Sequence, residues 1–214
     1  MFINKLFGYV TIICKKFDID ESHCLSHSMN VLNHAQNIYN SELPKNPYLE
    51  TQQKIIYTSA ILHDMCDKKY MDETQGIQFI TEFLKYDVTP NELDVIKTII
   101  KTMSYSKVTV FGYPNLGQYM LAYHIVREAD LLSAYDFNRC MIYSLHKKPN
   151  CTTVIDAFIE SRKLFNYRVL KYIEDGLFIT DYSKELSKKL HEESLKNIDL
   201  WGQIYLYKID VEIM

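Results

Sequence analysis

The sequence predicts an all-α protein. Glycine is rare, with 6 in 214 residues, alternating β-branched runs are few, and long stretches carry apolar residues at helical spacing. A 47% hydrophobic composition is enough for one sizeable core, so a single compact multi-helix domain is expected over residues 1–214.

The first helix is read at Phe2 to Phe17. Its apolar run Leu6 to Cys14 is flanked by Lys5, Lys15 and Lys16, is too short to span a bilayer and is followed by no small-residue cleavage site. It is expected to pack as an ordinary helix, with a peripheral membrane contact as the alternative. A second helix begins near Glu21, carries Val31, Ala35 and Ile38, and breaks by Pro44 and Pro47. A third covers roughly Leu49 to Leu62 and a fourth Asp72 to Lys85. Thr89-Pro90-Asn91-Glu92 combines a capping threonine, a proline at the first helical position and an acid three residues after the cap, so a fifth helix runs from there to about Met103. Ser104 to Gly117, with Gly112 and Pro114, reads as a loop. Helix resumes from Gln118 to about Ala134, then from Asp136 to His146, stopped by Pro149. After Cys151 a long helix ends near Gly176. The last starts at Asp181, and its aromatic tail, Leu200 to Met214, could pack back or meet another subunit in a homodimer.

Bulk charge narrows the partners. A net charge of −3 does not suit binding to duplex nucleic acid, which draws its affinity from a basic excess. A small anionic substrate needs only a local cluster of cations. The cysteines Cys14, Cys24, Cys66, Cys140 and Cys151 are scattered, odd in number and lack a CxxC pair, so reduced thiols in a cytoplasmic setting are expected.

Chemistry concentrates at Ala60-Ile61-Leu62-His63-Asp64-Met65-Cys66-Asp67-Lys68-Lys69, where an apolar helix ends in a histidine and an aspartate side by side. Imidazole and carboxylate both ligate borderline divalent ions. Adjacent helical side chains diverge by about 100°, so both reach one ion only near a helix end. His27 lies upstream on a helix whose apolar face continues through Val31 and Ala35. Downstream, Asp130 sits among Val126, Ala129 and Leu131 on a helix that otherwise looks buried, a costly place for an unpaired carboxylate.

A histidine, then His-Asp after an apolar helix, then an aspartate in an Ala-Asp-Leu setting resembles the HD superfamily of metal-dependent phosphohydrolases. The resemblance covers about residues 20–145, with the N-terminal helix 2–17 and C-terminal helices 151–214 packed on that core. It implies that His27, His63, Asp64 and Asp130 hold one divalent ion. Mixed nitrogen and oxygen donors favour Mn²⁺, Fe²⁺, Co²⁺, Ni²⁺ or Zn²⁺ over Ca²⁺. Many binuclear members carry further histidines between the His-Asp pair and the last aspartate. Here Ile99 to Tyr105 has none and His124 comes too late, so a mononuclear centre is expected. Asp67 matches an acid, usually glutamate, that helps position or deprotonate the attacking water in nucleotide-directed members. Its other reading is a carboxylate paired with Lys68 or Lys69. Lys68 and Arg127, with Lys101, Lys107 and Arg139 behind them, are candidate cations for phosphoryl oxygens.

The resemblance therefore implies a hydrolase cleaving the phosphate ester of a nucleotide or related small molecule. A metal- or nucleotide-binding module without turnover is the alternative, and an oxygenase of the same superfamily would need a di-iron centre. His23, Cys24 and His27 lack the second Cys/His pair that a zinc site requires. His34 reads as a core histidine or a partner to the ligands, and Tyr105 and Tyr135 as cleft residues able to touch a nucleobase.

Overall fold

The structure, a computed structural model, describes residues 2–212, with side chains described from 2 to 205. It is all-helical: ten α-helices and three short 3-10 turns, with no strand among the described residues. They fall into two compact units, residues 1–133 and 134–214.

The first unit is built around α3 (Gln53–Leu62). Seven of its ten residues, all lying between Ile55 and Leu62 and including the small polar Thr58 and Ser59, are buried, so the helix is enclosed over most of its surface. α1 (Phe2–Phe17), α2 (Leu25–Glu42), α5 (Pro90–Thr102) and α7 (Met120–Ser133) all pack against it. α1 is an amphipathic packing helix: Leu6, Tyr9, Val10, Ile13 and Cys14 point inward, and Tyr9 stacks on Phe83 of α4 (Glu73–Leu84) at 4.2 Å. Lys5 at its outer side pairs with Asp87. No helix among the described residues is long and apolar enough to cross a membrane.

Local chemistry sets the helix starts. Asp72 caps α4 by accepting from the Gln75 amide at 2.8 Å. Thr89 and Glu92 form the reciprocal capping box at the head of α5, with Pro90 behind the cap. The stretch Ser104 to Gly117, expected to be a loop, instead holds α6 (Tyr105–Phe111), ended by Gly112 at φ 73°, where a side chain would strain the backbone.

One expectation about the cysteines is corrected. Cys14, in the last turn of α1, and Cys24, just ahead of α2, form a disulfide with Cα atoms 5.9 Å apart. The tight turn between the two helices brings them together, a proximity that cysteine spacing alone does not reveal. Cys66, Cys140 and Cys151 are free and buried. The reduced-thiol argument for a cytoplasmic setting thereby loses its support.

The second unit contains α8 (Phe137–Lys147), α9 (Val154–Tyr167) and α10 (Asp181–Glu212). Its core is aromatic: Phe137 lies edge-on to Phe165 at 5.1 Å and to Phe158 at 5.9 Å. The helix expected to reach Gly176 stops at Tyr167 and gives way to a 3-10 turn, Val169–Lys171. The first part of the C-terminal tail packs back. Trp201 donates from Nε1 to Asn138 at 2.8 Å, and Tyr205 rests on Phe158 at 5.3 Å. The side chains of 206–214 lie outside the described residues. Tyr135, expected to face a cleft, is buried in this unit against Tyr172 and His191.

Candidate metal centre

α3 ends one residue before the chemistry starts. After Leu62 the chain drops into successive tight turns, with amide-to-carbonyl bonds from Met65 to Leu62 and from Asp67 to Asp64. Leaving the helix at this point lets the consecutive residues His63 and Asp64 aim at one spot. α2 delivers His27 and α7 delivers Asp130 to the same place.

The donor atoms converge tightly. His27 Nε2 lies 3.0 Å from His63 Nε2, 3.2 Å from Asp64 Oδ2 and 3.4 Å from Asp130 Oδ1. His63 Nε2 lies 3.2 Å from Asp64 Oδ2 and 3.6 Å from Asp130 Oδ1. His27, His63 and Asp64 each offer a ligand atom within 4.8 Å of the others, a grouping able to hold a metal ion. Asp130 reaches the same two imidazole nitrogens.

Second contacts orient the rings. His63 Nδ1 donates to the Ala60 carbonyl at 2.9 Å, which leaves Nε2 as the lone-pair nitrogen of a neutral ring. On His27, Nδ1 faces Ser133 Oγ at 3.5 Å, and that hydroxyl donates onward to the Asp130 carbonyl at 2.8 Å. Two lone pairs are thus apposed at 3.0 Å, with a buried Asp64 Oδ2 beside them that makes no hydrogen bond. Like partial charges so placed repel unless a cation or proton lies among them. This donor set fits a divalent ion with nitrogen and oxygen ligands.

Without an ion a proton takes that place. Burial opposes charging His63, but Asp64 and Asp130 outweigh it and hold the imidazole well above its usual value. Burial likewise works against both carboxylates, yet His63 beside Asp64, and hydrogen bonding from His27 and His63 at Asp130, keep them well below the ordinary range. An ion and this proton therefore compete for the cluster.

The other sequence candidates lie around it. Asp67 is on the turn after Asp64, where its Oδ1 accepts from the Lys69 amide at 2.9 Å and its Oδ2 pairs with Lys69 Nζ at 3.1 Å. Lys68 is exposed on the same turn. Arg127 is 2% exposed, 3.5 Å from Glu128 and with its guanidinium 5.0 Å from the Tyr113 ring centre. His34 is half-buried, and desolvation together with His27 lowers its pKa. Sequence reasoning did not find the network beside Asp64, where Tyr70 donates to Asp20 at 2.6 Å and approaches His23 Nδ1 at 3.0 Å. Nor did it find Ser133 or the Ala60 carbonyl. A serine at a helix end is too common to single out, and a carbonyl leaves no mark in sequence.

His124, on α7, lies edge-on to Tyr113 at 5.0 Å. Burial and the nearby Arg127 push its pKa down to about 4. An unfolded histidine titrates near about 6.5, so its contribution to stability is complete above that pH and drains away as pH falls through about 4. The full shift is worth about 3 kcal/mol, and partial exposure reduces it to roughly half. Unfolding free energies from urea titrations at about pH 7 and about pH 4 should therefore differ by on the order of 1–2 kcal/mol more in the native chain than in His124→Gln. Equal pH dependence in the two proteins would refute this.

Comparison with known proteins extends the fold and no more. No family model matches the chain, and no curated protein matches it. Among solved structures, a Lactobacillus plantarum protein determined as a structural-genomics target shares 18% identity with a TM-score of 0.69, covering 96% of this chain and 97% of that one. Bacillus subtilis YpgQ shares 18% identity with a TM-score of 0.61, covering 94% of each chain. The all-helical fold is common to them.

Proposed function

We propose that the chain is an HD-type metal-dependent phosphohydrolase acting on a nucleotide or a related small phosphate ester. The observation that carries this reading is the meeting of His27 on α2, His63 and Asp64 on the turn after α3, and Asp130 on α7, with their donor atoms facing one another. One ion from the series Mn²⁺, Fe²⁺, Co²⁺, Ni²⁺ or Zn²⁺ suits that donor set. Such an ion supplies Lewis acidity, activating water near neutral pH and polarising a phosphoryl oxygen.

The remaining roles belong to the chain. The Ala60 carbonyl holds a proton on His63 Nδ1, so Nε2 is the nitrogen that His63 would offer an ion. Asp67 is the group proposed to accept a proton from the attacking water, and Lys69 fixes its carboxylate. Of the two proposed cations, Lys68 is open to an incoming phosphate, whereas Arg127 is enclosed beside Glu128 and Tyr113.

The Lys69 contact also favours a second reading, a module that binds metal and nucleotide without turnover, because both oxygens of the Asp67 carboxylate are already engaged by Lys69 rather than turned to a water. Release of phosphate or pyrophosphate from a nucleoside mono-, di- and triphosphate panel separates them. The chain is first stripped with chelator and then supplied with Mn²⁺ or Co²⁺. Metal-restored turnover is expected. Nucleotide binding with no product under any ion would replace the hydrolase with the module.

A further inference from the structure

A cavity of about 310 Å³ opens in the first unit between the end of α5 and the segment after α6. Lys101, Thr102, Lys107, Phe111, Tyr113 and Pro114 line it. That size lies at the lower end of small-molecule sites. Its lining combines two aromatic residues, Phe111 and Tyr113, with two lysines, Lys101 and Lys107.

The rings are not equivalent. Phe111, at the end of α6, is 82% exposed, and the neighbouring Val110 is 70% exposed, so this corner leaves apolar surface in water. Tyr113 is anchored by edge contacts with Tyr123 at 6.2 Å and His124 at 5.0 Å, and by the Arg127 guanidinium. The two lysines also differ. Lys107 is engaged by the Glu73 carboxylate and donates to the Lys101 carbonyl at 2.6 Å. The Lys101 ammonium forms no ion pair among the described residues, so its charge is free to meet an anion.

Two connections tie the cavity to the metal cluster. Arg127, against Tyr113, sits one turn before Asp130 on α7. Glu73, which holds Lys107, begins α4, and α4 packs through Gly76 on Cys66, two residues after Asp64. The geometry points to this cavity as the subsite for the aromatic base of a nucleotide, stacked on Phe111 and Tyr113 with Lys101 meeting a phosphate. A ligand with a flat π-face and a negative tail satisfies both halves of the lining. The assignment rests on the proposed function for the substrate class, but binding alone tests it.

Isothermal titration of the Mn²⁺-loaded chain measures it directly. The probes are adenosine triphosphate carrying methylene groups in place of both phosphoanhydride bridging oxygens, and inorganic tripolyphosphate, which has no base. Phe111→Ala is expected to weaken the nucleotide analogue roughly tenfold, and more than it weakens tripolyphosphate. Lys101→Ala is expected to weaken both. Tyr86→Ala, which removes another solvent-facing aromatic (88% exposed) away from the cavity, is expected to bind the analogue like the native chain. Phe111 is so exposed that its removal leaves the core untouched. Native-like analogue affinity in Phe111→Ala, equal losses for the two probes, or no analogue binding by the native chain would each overturn the subsite. If the native chain binds the analogue through Phe111 yet hydrolyses no nucleotide, the hydrolase reading falls and the subsite stands. If it hydrolyses nucleotides and Phe111→Ala binds as the native chain does, the subsite alone falls.

Discussion

His63→Ala and Asp64→Ala should each empty the metal cluster and abolish metal-stimulated phosphate release, while the helices remain folded. His63 contributes one of the two apposed imidazole nitrogens and Asp64 the buried oxygen that lacks a hydrogen bond. Removing either leaves too few donors to repay the ion's dehydration. Loss of a ligand should cost at least roughly 10–100-fold in metal affinity, since even disturbing a ligand's orienting partner costs that much. Elemental analysis after dialysis against Mn²⁺, with circular dichroism on the same samples, checks the prediction. A His63→Ala protein that keeps a full ion and full turnover would remove the basis for the assigned site.

Gly76→Ala should destabilise the first unit although alanine is the better helix former. A Cβ at position 76 would stand 2.6 Å from the Cys66 Cβ, 2.7 Å from its Cα and 2.9 Å from the Met71 sulfur. The backbone contact with Cys66 cannot swing aside, so α4 or the turn after Asp64 must move. Relief of such overpacking costs about 1–3 kcal/mol, against a propensity gain of about 1 kcal/mol. Metal affinity should fall with stability, because that turn aims His63 and Asp64. Gly8→Ala is the internal contrast: it is exposed on α1 with nothing within 4 Å of a new Cβ, and should stabilise by about 0.5–1 kcal/mol. Urea denaturation of both variants reads the two signs. A Gly76→Ala protein as stable as Gly8→Ala would refute the account.

The contrast between legible and hidden features follows from which forces write themselves into sequence. α1 was legible at both ends because its inward stripe of Leu6, Tyr9, Val10 and Ile13 has helical period. The start of α5 was legible because Thr89, Pro90 and Glu92 each do a separate chemical job there. α6 was not. Seven residues long, with no buried side chain, it has no periodic stripe, and Gly112, Pro114 and Gly117 suggest only a loop. The His63-Asp64 pair and Asp130 stood out because charged or ligating groups are costly on apolar helices, while the grouping of all four residues as one ligand set came from the family resemblance. Their orienting partners, and the meeting of Cys14 with Cys24, depend on how helices pack in space, which local spacing does not encode.

The cluster also has a mechanical consequence. α2, the turn after α3 and α7 each contribute to it, with His27 and His63 36 residues apart along the chain and Asp64 and Asp130 66 apart. A bound ion would act as a cross-brace among three helices, closing two long loops at a single point. Mass action then makes rigidity depend on supply, with about 2.7 kcal/mol gained when free ion stands at a hundredfold excess over its dissociation constant. The thermal midpoint becomes a gauge of ion availability, rising as the surroundings are enriched and sinking when a chelator drains them.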